Sequence, residues 1–223
     1  MVQALLRRYA RGQAAAVRPL VVGRRLLDLG AGEGWVAAAL DDAGWRCAAD
    51  VGAFGRAPVP YVVYDGARLP FADGAFDTTL LLLVLHHCAA PDAALDEAVR
   101  VTRARLVVTE SVYRNRRDRF WLDLLDGRVN RLRHGGRMAV PRAFRAPGAW
   151  RTLFESRGLR VAETRWLGSR WERLVHHPFL YVLDKPPGRA ADGARGGGGG
   201  QTTSSVRAVV SPRRLIAKGG SAR

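Results

Sequence analysis

Glycine occupies every second position in a short segment between an apolar stretch and a helical pattern. Residues 28–34 read DLGAGEG. Because glycine has no Cβ, the backbone of such a turn can approach a bound molecule closely. The helix that follows directs its unpaired backbone N–H groups toward the same place. This segment, which we call the glycine loop, therefore predicts a cofactor site formed by Asp28, Gly30, Ala31, Gly32 and Gly34.

The spacing of the glycines distinguishes between cofactors. A dinucleotide-binding loop has the pattern G-x-G-x-x-G/A, in which a small third residue lets helix and strand touch. That third position is Trp35 here, and the carboxylates of Asp28 and Glu33 would repel a pyrophosphate. The pattern therefore argues against an NAD-dependent oxidoreductase. Carboxylates in the loop suit a ligand with a cationic end, such as the ammonium and sulfonium groups of S-adenosylmethionine.

Two further aspartates follow the next two predicted strands. Asp50 ends the second strand, 22 residues after Asp28, close to the separation of about 20 residues at which a carboxylate binds ribose hydroxyls. Asp65 ends the third strand and is followed by Gly66; a carboxylate there can accept a hydrogen bond from an adenine amino group. Each aspartate alone is more often a turn residue. Together they mark the carboxyl ends of successive parallel strands, where ligands of such sheets bind.

Residues 25–110 resemble the class I S-adenosylmethionine-dependent methyltransferases, in particular those with a methyltransferase type 11-like domain. The resemblance rests on LLDLGAGEG, DGARLPFADGAFD, LLVLHH and RLVVTES, in that order. It implies a Rossmann-like sheet and transfer of the methyl group of S-adenosylmethionine. It also implies roles for single residues. The methionine moiety would be bound by Asp28, Gly30, Gly32 and Gly34, the ribose by Asp50, and the adenine by Asp65 with Gly66. His86 would face the methyl-transfer centre.

Methyl transfer from a sulfonium requires mainly alignment of the acceptor and exclusion of water. A base is needed only where the acceptor carries a proton in its reacting state. His86 and His87, after the fourth strand, are the candidate catalytic residues, and Glu110 and Tyr113, after the fifth strand, come next. The alternative interpretation of the two histidines is capping and packing at a strand end. The histidines and cysteines lack a standard ligand spacing, so we expect no metal site.

Strand and helix patterns alternate from residue 25 to about residue 185. Strands are predicted at 26–29, 45–50, 61–64, 76–85, 106–109, 159–166 and 179–183. Helices are predicted at 35–44, around 95–99 and at 147–158. The continuous leucine run of the fourth strand indicates burial on both faces, as in the centre of a parallel sheet. We therefore expect an α/β fold with a Rossmann-like, doubly wound, mostly parallel sheet of seven strands and helices on both faces.

The two ends of the chain differ from this region. Residues 1–24 predict a leading helix whose apolar side is formed by Leu5, Leu6, Tyr9 and Val17. We assign residues 1–185 to one methyltransferase domain that includes this helix. Residues 186–188 read PPG and residues 196–200 are all glycine, a composition that does not hold a fixed conformation. Residues 186–223 therefore predict a disordered, basic tail rich in glycine and arginine.

Residues 112–146, which we call the cap segment, combine many arginines with apolar residues at helical spacing. The apolar set is Phe120, Trp121, Leu124 and Leu125. A substrate cap with an apolar underside and a basic rim would favour an acidic or membrane-associated acceptor. An ordinary amphipathic helix with a solvated arginine face is the alternative interpretation.

The chain of 223 residues has a formal net charge of +16, and all but two of its 36 basic residues are arginine. Codon usage in a GC-rich genome explains such a composition, and so does an anionic partner such as nucleic acid. No nucleic-acid reader motif is present. A small-molecule acceptor is therefore favoured; a nucleic-acid-binding protein and an inactive cofactor-binding protein on the same fold are the alternatives.

The expected location is the cytoplasm. Two cysteines do not build a disulfide framework, and the N-terminal residues lack the features of a signal peptide. The longest apolar run, at 80–85, is far shorter than the roughly 20 residues needed to span a bilayer. The sequence does not determine the oligomeric state.

Overall fold

The computed structural model describes residues 2–120, 122, 124, 143–167 and 177–186. Most of the cap segment and almost all of the predicted tail lie outside the described residues. The strands are β1 (Arg25–Leu29), β2 (Trp45–Asp50), β3 (Tyr61–Val63), β4 (Phe76–Leu82), β5 (Thr102–Ser111), β6 (Arg160–Trp166) and β7 (Pro178–Asp184). The α-helices are α1 (Val2–Val17), α2 (Trp35–Ala39), α3 (Pro91–Val101) and α4 (Pro147–Ser156), and 3₁₀ turns occupy Arg18–Leu20 and Leu85–His87.

The seven strands form one sheet in the order β3-β2-β1-β4-β5-β7-β6. The first five are parallel to their neighbours, whereas β7 runs antiparallel between β5 and β6. The predicted mostly parallel, seven-stranded, Rossmann-like sheet is therefore confirmed. Its strand order reverses at β1, and this arrangement brings the carboxyl ends of β1, β2 and β4 together at one edge.

Helices cover both faces of the sheet, as expected. On one face, α1 and α2 pack over Leu26, Leu80 and Val107. On the other face, α3 and α4 pack over Leu27 and Leu81. Successive residues of the central strands thus enter opposite cores, which is why Thr78, Thr79, Leu80 and Leu81 of β4 are all buried.

Several predicted elements extend beyond the observed ones. The helix predicted at 35–44 ends at Ala39. Arg18 caps this end: it donates a hydrogen bond to the carbonyl oxygen of Ala39 (2.6 Å) and also pairs with Asp41 and Asp42. The strand predicted at 76–85 ends at Leu82. There the backbone of Leu83 takes a positive φ of 63°, which turns the chain into the Leu85–His87 turn.

The predicted apolar side of the leading helix was partly wrong. Leu5 is 67% exposed and Tyr9 is 52% exposed. The buried face of α1 is formed by Ala10, Ala14 and Val17. Small side chains on this face allow α1 to approach α2 closely, and the larger apolar residues are left on the solvent side.

The predicted apolar underside of the cap segment was also partly wrong. Residues 116–120 are helical, as are 122 and 124. Leu122 is buried, whereas Phe120 is 61% exposed and Leu124 is 37% exposed. The other two residues of the predicted set, Trp121 and Leu125, lie outside the side chains that the structure describes.

Candidate functional site

The glycine loop lies across the carboxyl ends of β1 and β2. The backbone N–H groups of Gly30 and Ala31 both donate to the carbonyl oxygen of Ala49, at 2.8 and 3.1 Å. Gly30, Gly32 and Gly34 all have positive φ, at 72°, 54° and 82°. This left-handed backbone is strained for residues with a side chain, so the alternating glycines are what allow the loop to turn here.

The two central glycines of the loop differ in what surrounds them. A Cβ on Gly30 would lie 2.5 Å from a methyl carbon of Val84, whereas a Cβ on Gly32 would meet nothing within 4 Å. Gly30 is therefore required for packing against the residues after β4. Gly32 leaves open space beside the backbone, and it is the glycine at which a bound molecule can approach.

Asp50 connects the end of β2 to the loop. One of its carboxylate oxygens accepts a hydrogen bond from the backbone N–H of Gly32 (2.8 Å), and the other accepts one from Val51 (2.7 Å). The side chain is nearly buried. Asp50 thus holds the loop at its most open glycine, at the carboxyl end of β2. Its binding of a ribose stays a prediction.

Asp28 lies at the base of the loop and is 2% exposed. Its carboxylate accepts a hydrogen bond from the backbone N–H of Ala37 at the start of α2 (3.2 Å). Burial raises the pKa of Asp28 to about 7; the hydrogen bond from Ala37 opposes this rise, and the neighbouring Asp50 adds to it. A buried carboxyl group with such a pKa is stabilised in its charged form by a cationic ligand.

Glu33 does not have the role expected for the second carboxylate of the loop. It accepts hydrogen bonds from the side-chain amide of Gln3 (3.3 Å) and the indole N–H of Trp35 (2.7 Å). It also pairs with Arg56 at 3.4 Å. These contacts turn the carboxylate toward α1 and the segment after β2, so Glu33 links elements of the fold, and Asp28 is the buried carboxylate of the loop.

Asp65 and Gly66 follow β3 at the same edge of the sheet. One oxygen of Asp65 accepts hydrogen bonds from the backbone N–H groups of Ala67 (2.9 Å) and Arg68 (3.0 Å). These two bonds lower the pKa of the Asp65 carboxyl. Gly66 has a φ of 83°, and a Cβ there would lie 3.3 Å from Val51. Asp65 thus makes the contacts of a turn residue, which was the alternative interpretation of its sequence position. It lies beside the end of β2.

His86 forms a buried pair with Glu110. The Nδ1 atom of His86 lies 2.5 Å from a carboxylate oxygen of Glu110, and the two side chains are 2% and 0% exposed. The other oxygen of Glu110 accepts hydrogen bonds from the backbone N–H groups of Val84 (3.2 Å) and Leu85 (2.8 Å). Because β4 and β5 are neighbours in the sheet, residues 24 positions apart meet at its carboxyl edge.

Aromatic rings surround this pair. The ring of His87 lies 3.9 Å from that of His86, and the ring of Phe144 stacks on His86 at 4.9 Å. The backbone N–H of Ala143 donates to the carbonyl oxygen of His86 (3.1 Å). The last residues of the cap segment therefore close over His86. Sequence reasoning did not identify Phe144.

Tyr113, the remaining candidate of the sequence, does not belong to this pair. It follows β5 and lies beneath the guanidinium of Arg119, 5.4 Å from the ring centroid. Within the described ranges, no group of three His, Cys, Asp or Glu side chains is placed to hold a metal ion.

Tyr61 is a site residue that sequence reasoning missed. Its hydroxyl lies 2.8 Å from the carbonyl oxygen of Gly32 and 3.0 Å from that of Gly52. Burial raises the pKa of Tyr61, and the nearby Asp50 adds to the rise, so the hydroxyl keeps its proton. The available signal was an aromatic residue at the start of an edge strand, preceded by Gly55, whose missing Cβ leaves room for the ring.

Known methyltransferases are similar to this chain in sequence. A family model described as "Methyltransferase domain" matches residues 27–105. The demethylmenaquinone methyltransferase of Mycolicibacterium paratuberculosis is 31% identical over 202 residues, which cover 81% of this chain and 84% of that protein. The protein of the same name from Beutenbergia cavernae is 39% identical over 107 residues, or 44% of this chain and 43% of that protein.

Solved structures share the fold. One is the magnesium protoporphyrin IX methyltransferase of Synechocystis PCC 6803 with bound SAH. It superimposes with a TM-score of 0.55 and 18% sequence identity, over 80% of this chain and 83% of that one. At this identity the similarity concerns the arrangement of strands and helices.

Proposed function

The chain belongs to the class I S-adenosylmethionine-dependent methyltransferases, and from this premise we propose that it methylates a small molecule held beside His86. The observation that carries the proposal is the buried pair of His86 and Glu110 at the same sheet edge as the glycine loop. A histidine whose orientation is fixed by a carboxylate is suited to accept a proton from a reacting group.

The residues of the loop fit the cofactor. A buried carboxyl group with a raised pKa at Asp28, open space at Gly32 and the carboxylate of Asp50 lie close together at the ends of β1 and β2. We propose that Asp28 and the loop backbone from Gly30 to Gly34 hold the methionine moiety and that Asp50 holds the ribose. Asp65 with Gly66 would hold the adenine. When bound, S-adenosylmethionine supplies a methyl group on a sulfonium, which is an activated leaving group.

In this proposal His86 takes the proton that the acceptor loses. Because Nδ1 faces Glu110, the atom that receives the proton is Nε2. Glu110 is a positioning residue: the backbone N–H groups of Val84 and Leu85 fix one of its oxygens, and the other holds the imidazole. The rings of His87 and Phe144 exclude water from the imidazole.

For the acceptor we propose the hydroquinone class. Two relatives carry demethylmenaquinone methyltransferase as their name. A hydroquinone has an acidic hydroxyl, and removal of its proton makes the ring a nucleophile. This chemistry matches a buried histidine that accepts a proton and needs no metal ion.

The charge distribution favours this function over nucleic-acid binding. Many arginines of the described residues are engaged by carboxylates, among them Arg18, Arg100, Arg105, Arg145, Arg157 and Arg160. Arginines paired in this way support the fold and contribute little to a free basic surface. The net charge therefore overstates the basic surface available to a nucleic acid.

The proposal is tested with labelled S-adenosylmethionine and three kinds of acceptor: reduced naphthoquinones, catechols and a mixture of DNA and RNA. We expect label in the naphthoquinone fraction and its loss in His86→Ala. Label only in nucleic acid would support the alternative function. Binding of S-adenosylhomocysteine without transfer to any acceptor would support a cofactor-binding protein without activity.

A further inference from the structure

Two exposed apolar groups lie on separate segments of the chain. On α1, Leu5 and Tyr9 are four residues apart and so share the solvent face. In the helical residues after β5, Phe120 and Leu124 have the same spacing and are also exposed. Isolated exposed apolar residues are ordinary, whereas aligned pairs form larger exposed apolar patches of the kind that mark interaction surfaces.

Both apolar groups lie near the carboxyl edge of the sheet, which carries the glycine loop. The N-terminal half of α1 is joined to the loop, because Gln3 donates to Glu33 and the guanidinium of Arg7 lies 4.1 Å from the Trp35 ring centroid. The second group follows the carboxyl end of β5, and only β4 separates β5 from β1. The two groups therefore flank the candidate site.

Arginines surround the apolar residues. Helix α1 contains three arginines and no acidic residue, and Arg8 and Arg11 are exposed. Arg116, Arg117 and Arg119 are exposed beside Phe120, and the single acidic residue among them, Asp118, is bound by Arg114. The flanks of the site thus combine exposed apolar side chains with exposed arginines. Within the described residues, no helix is long and apolar enough to cross a membrane.

We propose that this edge docks on the surface of an anionic lipid bilayer, with Leu5, Tyr9, Phe120 and Leu124 inserted at headgroup level. Arginines there interact with lipid phosphates, and aromatic and aliphatic side chains enter the boundary of the acyl region. A nucleic acid would engage the arginines but gives aliphatic side chains such as Leu5 and Leu124 no apolar phase to enter. Docking in this orientation turns the carboxyl edge of the sheet, where His86 and the glycine loop lie, toward the lipid that would hold a lipophilic acceptor. The inference rests on the surface itself and not on the proposed acceptor.

The test measures binding of the full chain to vesicles of phosphatidylglycerol and phosphatidylcholine by co-sedimentation in 0.1 M salt. Leu5→Ser/Tyr9→Ser removes apolar contacts, and we expect its partition coefficient to fall by about tenfold. Arg8→Glu/Arg11→Glu removes two arginines, each contributing on the order of fivefold near an anionic surface. All four side chains are exposed, so these variants should keep the fold.

The matched control is Arg24→Glu/Arg25→Glu, which makes the same change in charge at the opposite edge of the sheet. Both side chains are exposed, and they lie at the amino end of β1. We expect its partition coefficient to fall by less than about threefold, because charges remote from the membrane are screened. The C-terminal basic residues are present in all variants and therefore cancel in the comparison.

Three results would overturn the proposal. The first is no binding to anionic vesicles. The second is an equal loss in the two charge-reversal variants. The third is a wild-type partition coefficient for Leu5→Ser/Tyr9→Ser combined with competition by duplex DNA, which would indicate a nucleic-acid surface. As a measurement that does not depend on weakened binding, a polarity-sensitive dye on Leu5→Cys should shift to the blue on anionic vesicles, and the same dye on Arg24→Cys should not.

Discussion

The hydroxyl of Tyr61 lies 2.8 Å from the carbonyl oxygen of Gly32, so a side chain of the edge strand holds the most open residue of the glycine loop. The N–H of the same glycine donates to Asp50 on β2. The peptide groups on both sides of Gly32 are therefore fixed by two strands that follow the loop in the chain. A loop ordered before the ligand arrives loses less conformational entropy on binding.

Tyr61→Phe should weaken binding of S-adenosylhomocysteine with little change in stability. Loss of one hydrogen bond of about 1 kcal/mol predicts an increase in Kd of about fivefold, measured by calorimetric titration. The control is Tyr181→Phe, which removes the hydrogen bond of a buried tyrosine to the carbonyl oxygen of Pro147 (3.1 Å) at the start of α4. That variant should lower Tm and leave Kd unchanged. Equal Kd values for both variants and the wild type would show that Tyr61 does not order the loop.

Substitutions of the two central glycines should have different effects. Gly30→Ala places a methyl group 2.5 Å from Val84, which should reduce the free energy of unfolding by about 2–5 kcal/mol through overpacking and positive φ. Gly32→Ala carries only the strain of the positive φ, about 1–2 kcal/mol, but fills space needed by the ligand. Denaturant unfolding should therefore separate the variants, and titration should show at least about tenfold weaker binding for Gly32→Ala.

A double variant checks the cause of the Gly30 effect. Gly30→Ala/Val84→Ala removes the methyl groups that the new Cβ would meet, and it should recover part of the stability relative to the sum of the single changes. Strict additivity of the two single changes would contradict the proposed clash. Wild-type affinity in Gly32→Ala would show that the ligand does not lie on this loop.

Asp28 should make the ligand-free protein less stable as pH rises. Its folded pKa of about 7 is above the unfolded value of about 4, so between these values the folded protein holds a proton that the unfolded chain releases. The stabilisation that this proton confers is complete below about pH 4 and is lost as pH rises through 7. Asp28→Asn should lack this loss and should have the higher Tm at pH 8.

The same carboxyl group should make cofactor binding depend on pH. A cationic ligand favours the charged form of Asp28, so the affinity of the wild type for S-adenosylhomocysteine should rise between pH 6 and pH 8. Asp28→Asn should bind more weakly and with a flat profile. Asp41→Asn, at an exposed position, is the control and should follow the wild type. Parallel curves of Tm against pH for the wild type and Asp28→Asn would contradict the assignment.

The pair of His86 and Glu110 should affect turnover and not cofactor affinity. With a naphthohydroquinone acceptor, His86→Ala should lower kcat by about 10²–10⁴-fold, the usual contribution of a positioned base. Glu110→Gln should lower kcat less and change its pH profile, because the amide cannot orient the imidazole in the same way. The Kd for S-adenosylhomocysteine should stay within about twofold in both variants. Glu155→Gln on the exposed side of α4 is the matched control.

The effect of a C-terminal deletion on Tm should depend on where the chain is cut. The ammonium of Lys185 donates to the carbonyl oxygens of Val99 (2.8 Å) and Thr102 (2.9 Å) at the end of α3. Deletion of residues 187–223 keeps these contacts and should leave Tm and cofactor affinity unchanged. Deletion of residues 185–223 should lower Tm. A large fall in Tm after deletion of residues 187–223 would show that the predicted tail packs on the domain.

The alternation of strands and helices and the alternating glycines were readable from the sequence, because hydrophobic period and positive φ are local properties of the chain. The positions of Asp28 and Asp50 at strand ends followed from the same patterns. Element ends were less certain. Helix α2 ends at Ala39, where Arg18 caps it from 21 residues away, and no local sequence pattern predicts this contact.

The tertiary structure decided what each side chain faces. Strand order placed β4 beside β5 and so brought His86 to Glu110, and it placed β3 beside β2 and so brought Tyr61 to Gly32. It also turned Glu33 toward α1 and left Leu5 and Tyr9 in solvent. The sequence by itself determined which residues stand at the ends of strands. Which of them meet depends on the order in which the strands pair, because that order is set by packing across the whole sheet.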